Sequence, residues 1–340
     1  MKALHGLLIG CLLIASGGCF KFEADVKAPK EIKLGNWTAE PAEAADQGVI
    51  FTAYDSLALR GKGVTLAARL IDHKTGRSLP GIEIGFYEGS KKLGQAATDS
   101  RGIAQLPWTA PRVGSLRLQA QVEQVPPSVS QNLLNVRPVA IRIESVDPDR
   151  PIALVDVADT LVKGSSKDVI RGERPVGGAA GTISGLARQH SIVYIADRNE
   201  LLTETGKNWF AGNGFPAGLI LQADHKFEFA DVRRLKTADP HNIKQTFNNV
   251  VVAITGRNRV AEDFLQEDLR TFLIIYVDAD ADDLREAADN LQKITGARKL
   301  NAVDNWRDLQ VGLERDRDFP ASQLARQFQQ RAQTLQEEDD

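Results

Sequence analysis

The stretch Ile152-Ala153-Leu154-Val155-Asp156-Val157-Ala158-Asp159-Thr160-Leu161 decides how the chain is read. Four consecutive apolar residues that end on an acid describe a strand buried on both faces, as in a parallel sheet, rather than the alternation of a half-exposed one. Further apolar runs follow at 191–195, 218–221, 249–254 and 271–277, and helix-like stretches lie at 177–188, 200–210, 240–247, 261–269 and 282–294. Short apolar strands separated by helices predict an α/β domain whose parallel sheet is covered on both sides. In such a sheet ligands bind beyond the carboxyl ends of the strands, so the residue that follows each strand is where chemistry is sought.

Upstream the pattern changes. Residues 49–137 read as short strands and turns, with the period-two alternation of Leu116-Arg117-Leu118-Gln119-Ala120-Gln121-Val122 as the plainest case, and they predict an all-β sandwich. No His, Cys or clustered carboxylate falls at ligand spacing there. The turn Thr98-Asp99-Ser100-Arg101-Gly102, with Leu79-Pro80-Gly81 before it, resembles those of the bacterial Ig-like domains of invasin-type surface proteins. The expected order is therefore an Ig-like sandwich at 49–137, an α/β domain at 138–318, and a C-terminal helix with an acidic tail at 319–340, where Leu324, Phe328, Ala332 and Leu335 form one stripe.

Both cysteines, Cys11 and Cys19, lie at the very start, so the body carries no disulfide and no thiolate metal site. With 42 basic against 45 acidic residues there is no electrostatic footprint for nucleic acid. Residues 1–18 join a basic start to the apolar run Leu7 to Ala15 and read as a secretory signal, too short to span a bilayer. Ser16-Gly17-Gly18 before Cys19 resembles a bacterial lipobox, with Ser16 where Leu is usual; the resemblance implies a lipid on Cys19. Phe20 in place of an Asp implies outer-membrane sorting, and residues 19–48 then read as a tether. A bacterial envelope lipoprotein, facing the periplasm or exposed at the surface and held to the membrane by its lipid anchor, is the expected setting.

The acid at the tip of the first parallel strand resembles the aspartyl nucleophile of the haloacid dehalogenase (HAD) superfamily, a Rossmann-like fold. Arg174-Pro175-Val176-Gly177-Gly178-Ala179, Ile192 to Asp197, Gly212 to Leu221 and Thr271 to Val277 resemble, in that order, stretches of the lipin-related phosphatidate phosphatases. The resemblance implies Asp156 as nucleophile and Mg²⁺ ligand, Thr160 as the motif threonine, and Lys236 or Lys244 as the phosphate-binding lysine. It also shows what is missing. Ala158 stands where the general acid would be, Ala196 where a phosphoryl-binding hydroxyl would be, and Gly256 where a metal-binding Asp would be, leaving Glu262 or Asp263 as substitute metal ligands. A methyl cannot transfer a proton, and losing general acid–base catalysis costs about 10²–10⁴ in rate. Asp197 puts a negative charge where a phosphate oxygen would sit, and Arg257 and Arg259 bring positive charge to where a cation would bind.

Three losses in three roles favour a domain that binds, as a scaffold or for an unidentified protein or phosphorylated small-molecule or lipid ligand, without catalysis and without a cofactor. The alternative is an active Mg²⁺-dependent phosphohydrolase, or a phosphonate-type hydrolase, that uses Asp156 on phospholipid head groups. The run Asp278 to Asp283 lacks the glycine and distal Glu of a calcium loop and reads as a helix cap.

Overall fold

The computed structural model describes residues 48–196, 204–222, 244, 247–277, 280–294 and 298–339. The signal, the tether with Cys19, Asp197 and Lys236 lie outside the described residues, as does most of the expected helix at 240–247. The strands are β1 (Val49–Tyr54), β2 (Ser56–Leu59), β3 (Gly63–Asp72), β4 (Glu83–Glu88), β5 (Lys91–Ala97), β6 (Ile103–Thr109), β7 (Gly114–Gln124), β8 (Val139–Val146), β9 (Ile152–Asp156), β10 (Ser191–Ala196), β11 (Leu219–Gln222), β12 (Val250–Thr255), β13 (Arg270–Ile274) and β14 (Leu300–Val303). The helices are α1 (Ser166–Ile170), α2 (Ala179–Leu186), α3 (Glu204–Gly212), α4 (Asn258–Gln266), α5 (Ala281–Ile294), α6 (Trp306–Arg315) and α7 (Ala321–Asp339). Among the described residues no helix is long and apolar enough to cross a membrane.

The first eight strands make a sandwich of two sheets, β1-β3-β6 and β2-β8-β7-β4-β5. All its pairings are antiparallel except β2 with β8. Inward residues such as Leu66, Leu70, Ile84, Phe86, Leu116 and Leu118 form its core, each contributing about 1.5–3 kcal/mol by burial. The turn Thr98 to Gly102 is closed by Asp99, whose carboxylate accepts from the Arg101 and Ile103 backbone, while Thr98 donates to Leu79 O. The expected boundary at 137/138 needs correction. β8 runs antiparallel to β7, with Leu118 opposite Ile141, so the sandwich extends to Val146.

The remaining six strands form one parallel sheet in the order β11-β10-β9-β12-β13-β14. Chain order reverses between β9 and β12, which places Asp156 at the switch point where ligand crevices open in such sheets. The sixth strand, β14, was not among the runs expected from sequence. Residues alternate strictly between two buried faces. Ala153, Val155, Tyr194, Ile254 and Phe272 pack under α2, α3 and α6. Ile152, Leu154, Val193, Ile195 and Ala253 face the other way, onto Phe264 of α4 and onto Leu57 and Val146 of the sandwich. Sandwich strands thus supply part of the cover on that face. α7 buries Leu324, Ala325, Phe328 and Ala332 against α5, so the helix expected as a separate C-terminal segment belongs to the α/β core.

A buried ion pair fastens the two parts. Asp55, between β1 and β2, accepts from Lys207 Nζ of α3 at 2.8 Å and from the Arg142 backbone N–H at 2.8 Å, while Arg142 Nη1 donates to Gly218 O before β11. Burial pushes the Asp55 carboxyl up, and the Lys207 charge opposes that rise. A carboxyl with a raised folded-state pKa holds its proton in the folded chain over a window where the unfolded chain has released it. Stability therefore falls as pH rises through that window. Lys207→Met removes the opposing charge and widens the window upward. It is expected to cost about 2 kcal/mol at neutral pH, below the usual cost of breaking a buried pair because the Arg142 N–H remains and the carboxyl can take up a proton. Urea unfolding of parent and variant at pH 7 and pH 5 checks this: the deficit should shrink at the lower pH.

Candidate functional site

The site is built from the loops that leave β9 and β12. Val157 N donates to Ile195 O, continuing the β9–β10 pairing one residue past the strand, and Leu161 N then turns back onto Val157 O at 3.0 Å. Asp159 takes the left-handed conformation at φ 54°, tolerable for Asp, and its carboxylate accepts from Gly164 N at 2.9 Å. The loop closes on itself and leaves Asp159 exposed, so this acid does not take the place that the resemblance expects of an acid at position 158. Ala158 and Ala196 are both buried methyls.

Asp156 is fully buried and its two oxygens are held by Arg257 and Thr255. Arg257 Nε donates to Oδ2 at 2.8 Å and Nη2 donates to Oδ1 at 2.7 Å, a two-pronged guanidinium–carboxylate pair. The Thr255 hydroxyl donates to Oδ2 at 2.7 Å and accepts from Arg257 N, so the last residue of β12 orients both partners. Arg257 is the residue before α4, with extended backbone, which is why its side chain folds back to the strand tips instead of running along the helix.

Thr160 joins the two loops. Its hydroxyl accepts from Gly256 N at 2.7 Å and donates to Ala158 O at 3.0 Å, while its carbonyl accepts from the Tyr276 hydroxyl at 2.8 Å. Tyr276 in turn accepts from Trp306 Nε1 at 2.7 Å, and burial pushes its hydroxyl well above the usual phenol range. Gly256 packs directly on this loop: a Cβ built there would lie 1.7 Å from Asp159 O. The position expected to lack a metal-binding Asp therefore has no room for any side chain in this arrangement.

The structure brings Asp156, Thr160, Ala158, Ala196 and Gly256 to neighbouring strand tips and places Lys244, Glu262 and Asp263 elsewhere. Lys244 Nζ donates to Val250 O. Val250 begins β12 opposite Ile152, so this lysine sits at the amino edge of the sheet, four residues and about 13 Å along the strand from Asp156. It cannot serve a phosphoryl group at the carboxyl edge. Glu262 and Asp263 were expected in a first helical turn, but α4 begins at Asn258 and carries no acid in its first turn. Glu262 is exposed, and the rise of 1.5 Å per residue carries both acids up the helix away from Arg257. Among the described residues no three His, Cys, Asp or Glu side chains gather as a metal cage. A divalent cation also fits poorly at Asp156 itself, because the guanidinium already brings a positive charge to both carboxylate oxygens. Thr255, Tyr276 and Trp306 were not singled out from sequence; only the adjacency of Thr255 to Gly256-Arg257 offered a signal.

No protein-family model matches the chain, and no curated protein matches it. Among solved structures it is similar to the D00-D0 domain of intimin, at 17% identity over 29% of this chain and 46% of that one, with a TM-score of 0.22. A Paenibacillus sp. cycloisomaltooligosaccharide glucanotransferase is 11% identical over 77% of this chain and 46% of that one, with a TM-score of 0.24. A Parabacteroides merdae beta-glucuronidase is 9% identical over 75% of this chain and 40% of that one, with a TM-score of 0.26. The chain thus spans less than half the length of each of these structures.

Proposed function

We propose that this is a lipid-anchored protein of the bacterial outer membrane in which an Ig-like sandwich carries a HAD-like α/β domain, resembling lipin-related phosphatidate phosphatases, that binds without turnover. One observation carries the proposal: the carboxylate in the nucleophile position is buried and gripped at both oxygens by Arg257 and Thr255. An attacking carboxylate needs an oxygen free to approach phosphorus in line and a cation to screen the incoming charge. Here, among the described residues, the cation on those oxygens is the Arg257 guanidinium, and it is bonded to the atoms that would attack. The strand order, with the acid at the switch point, supports the superfamily reading. The lipobox-like Ser16-Gly17-Gly18-Cys19 supports the anchor.

The test uses the full chain expressed in a Gram-negative host. Palmitate label should be incorporated by the parent and lost in Cys19→Ser. The same preparation, offered a panel of phosphate monoesters and phosphatidate with and without Mg²⁺, should release no phosphate above background. Mg²⁺-dependent hydrolysis that disappears in Asp156→Asn would overturn the non-catalytic reading and restore the phosphohydrolase.

A further inference from the structure

Lys244 has no role at Asp156, yet it is not idle surface. It lines an open cleft of about 370 Å³ at the opposite edge of the sheet, where β12, β13 and β14 begin. Four cations border it, Lys244, Arg270, Arg298 and Lys299, against two carboxylates, Asp268 and Asp318. The pairing is uneven. Lys299 binds Asp268 at 2.6 Å, and Arg270 is engaged by Asp316 and Asp318 and by two backbone carbonyls. Among the described residues Lys244 makes one hydrogen bond, to Val250 O, and Arg298 makes neither a hydrogen bond nor an ion pair. Asp268 reports the excess: its carboxyl is held below the usual range, first by Lys299 and at longer reach by Lys244.

Val251 adds an apolar patch to the cleft for a structural reason. Val250 pairs with Ile152 and Val252 with Ala153, so Val251 is an extra residue, a bulge in a central strand that turns its side chain into the cleft at 45% exposure. An aliphatic side chain left exposed at the start of a central strand of a parallel sheet is costly unless something covers it.

We propose that this cleft binds a phosphate ester, with Lys244 and Arg298 holding the phosphate and Val251 beneath the organic portion. Lys244 and Arg298, neither of which makes an ion pair among the described residues, match a doubly charged phosphate better than a single carboxylate, and the planar Arg fork suits phosphate oxygens. The volume exceeds that of a bare phosphate and falls at the lower end for small-ligand sites. The proposal is independent of whether Asp156 is silent, since the two places lie at opposite ends of the strands.

Isothermal titration calorimetry on the full chain tests it with two probes: inorganic phosphate for a free monoester, and glycerophosphoglycerol for a lipid-type phosphodiester head group. Saturable binding is expected, weakening with added salt and falling about tenfold or more in both Arg298→Gln and Lys244→Gln. Arg112→Gln, on an exposed arginine of the sandwich, should bind like the parent. Binding of the monoester alone assigns a soluble ester, and binding of the diester as well admits a head group. No saturable binding of either probe, or binding that either cleft substitution leaves unchanged, overturns the site.

Discussion

Asp156→Asn is expected to lower the unfolding free energy by about 3 kcal/mol, measured by chemical denaturation. The side chain is isosteric, so the loss is electrostatic. Asn removes the counter-charge of Arg257 and turns an NH₂ group toward donors, because Thr255 Oγ1, Arg257 Nε and Arg257 Nη2 all point at the present carboxylate. Breaking a buried pair by removing one partner costs about 3–5 kcal/mol, and the guanidinium is 23% exposed, which places this case at the lower end. A nucleophile poised in an open catalytic site behaves in the opposite way. Active-site acids are held at some cost to stability, and their neutralisation commonly leaves a fold as stable or more so.

The second large effect is expected at Gly256. Gly256→Ala should destabilise the chain by about 3 kcal/mol or more, at or above the top of the range for over-packing. The added Cβ would lie 1.7 Å from Asp159 O and 2.5 Å from its carbonyl carbon. Those are backbone atoms, so no side chain can swing aside; the β9 and β12 loops must separate. Separation also breaks the Gly256 N to Thr160 hydrogen bond and strains the contact through Thr160 O to Tyr276 and Trp306. The loss should appear as a lower denaturation midpoint with an unchanged slope, the mark of a stability change without a change in compactness.

Much of the α/β body was legible because its strands are buried on both faces. Ile152 to Val155 could hardly be another element, and the acid that ends the run marks the strand tip. What was missed depends on distance along the chain. β8 carries the alternation Ile141-Arg142-Ile143-Glu144, a sandwich pattern, but it follows Pro138, where the sequence pattern turns to that of the next domain; only its pairing with β7 shows where it belongs. β14 is four residues long, too short for periodicity to separate from a loop. The Asp55–Lys207 pair joins residues 152 positions apart, which no local reading reaches.

The site was legible in its omissions and not in its replacement. Under the family resemblance Ala158, Ala196 and Gly256 are expected losses of function, and Arg257 an expected positive charge near a cation position. That the charge lands on Asp156 follows from β12 lying directly beside β9 and from the extended backbone that starts α4. The same topology sends Lys244 to the other end of β12, where it joins a different set of cations. The crossover order of the sheet, not residue spacing, decides which side chains meet.

Asp156 acts as the structural half of an ion pair with Arg257, and a double-mutant cycle separates that role from any other. Asp156→Leu and Arg257→Met, singly and combined, would be compared with the parent by chemical denaturation under identical conditions. The expected result is that each single substitution costs several kcal/mol and that the double variant recovers much of the loss, because replacing both partners of a buried pair with apolar residues is often close to neutral. Additive effects, or an Asp156→Leu variant as stable as the parent, would contradict the structural pairing.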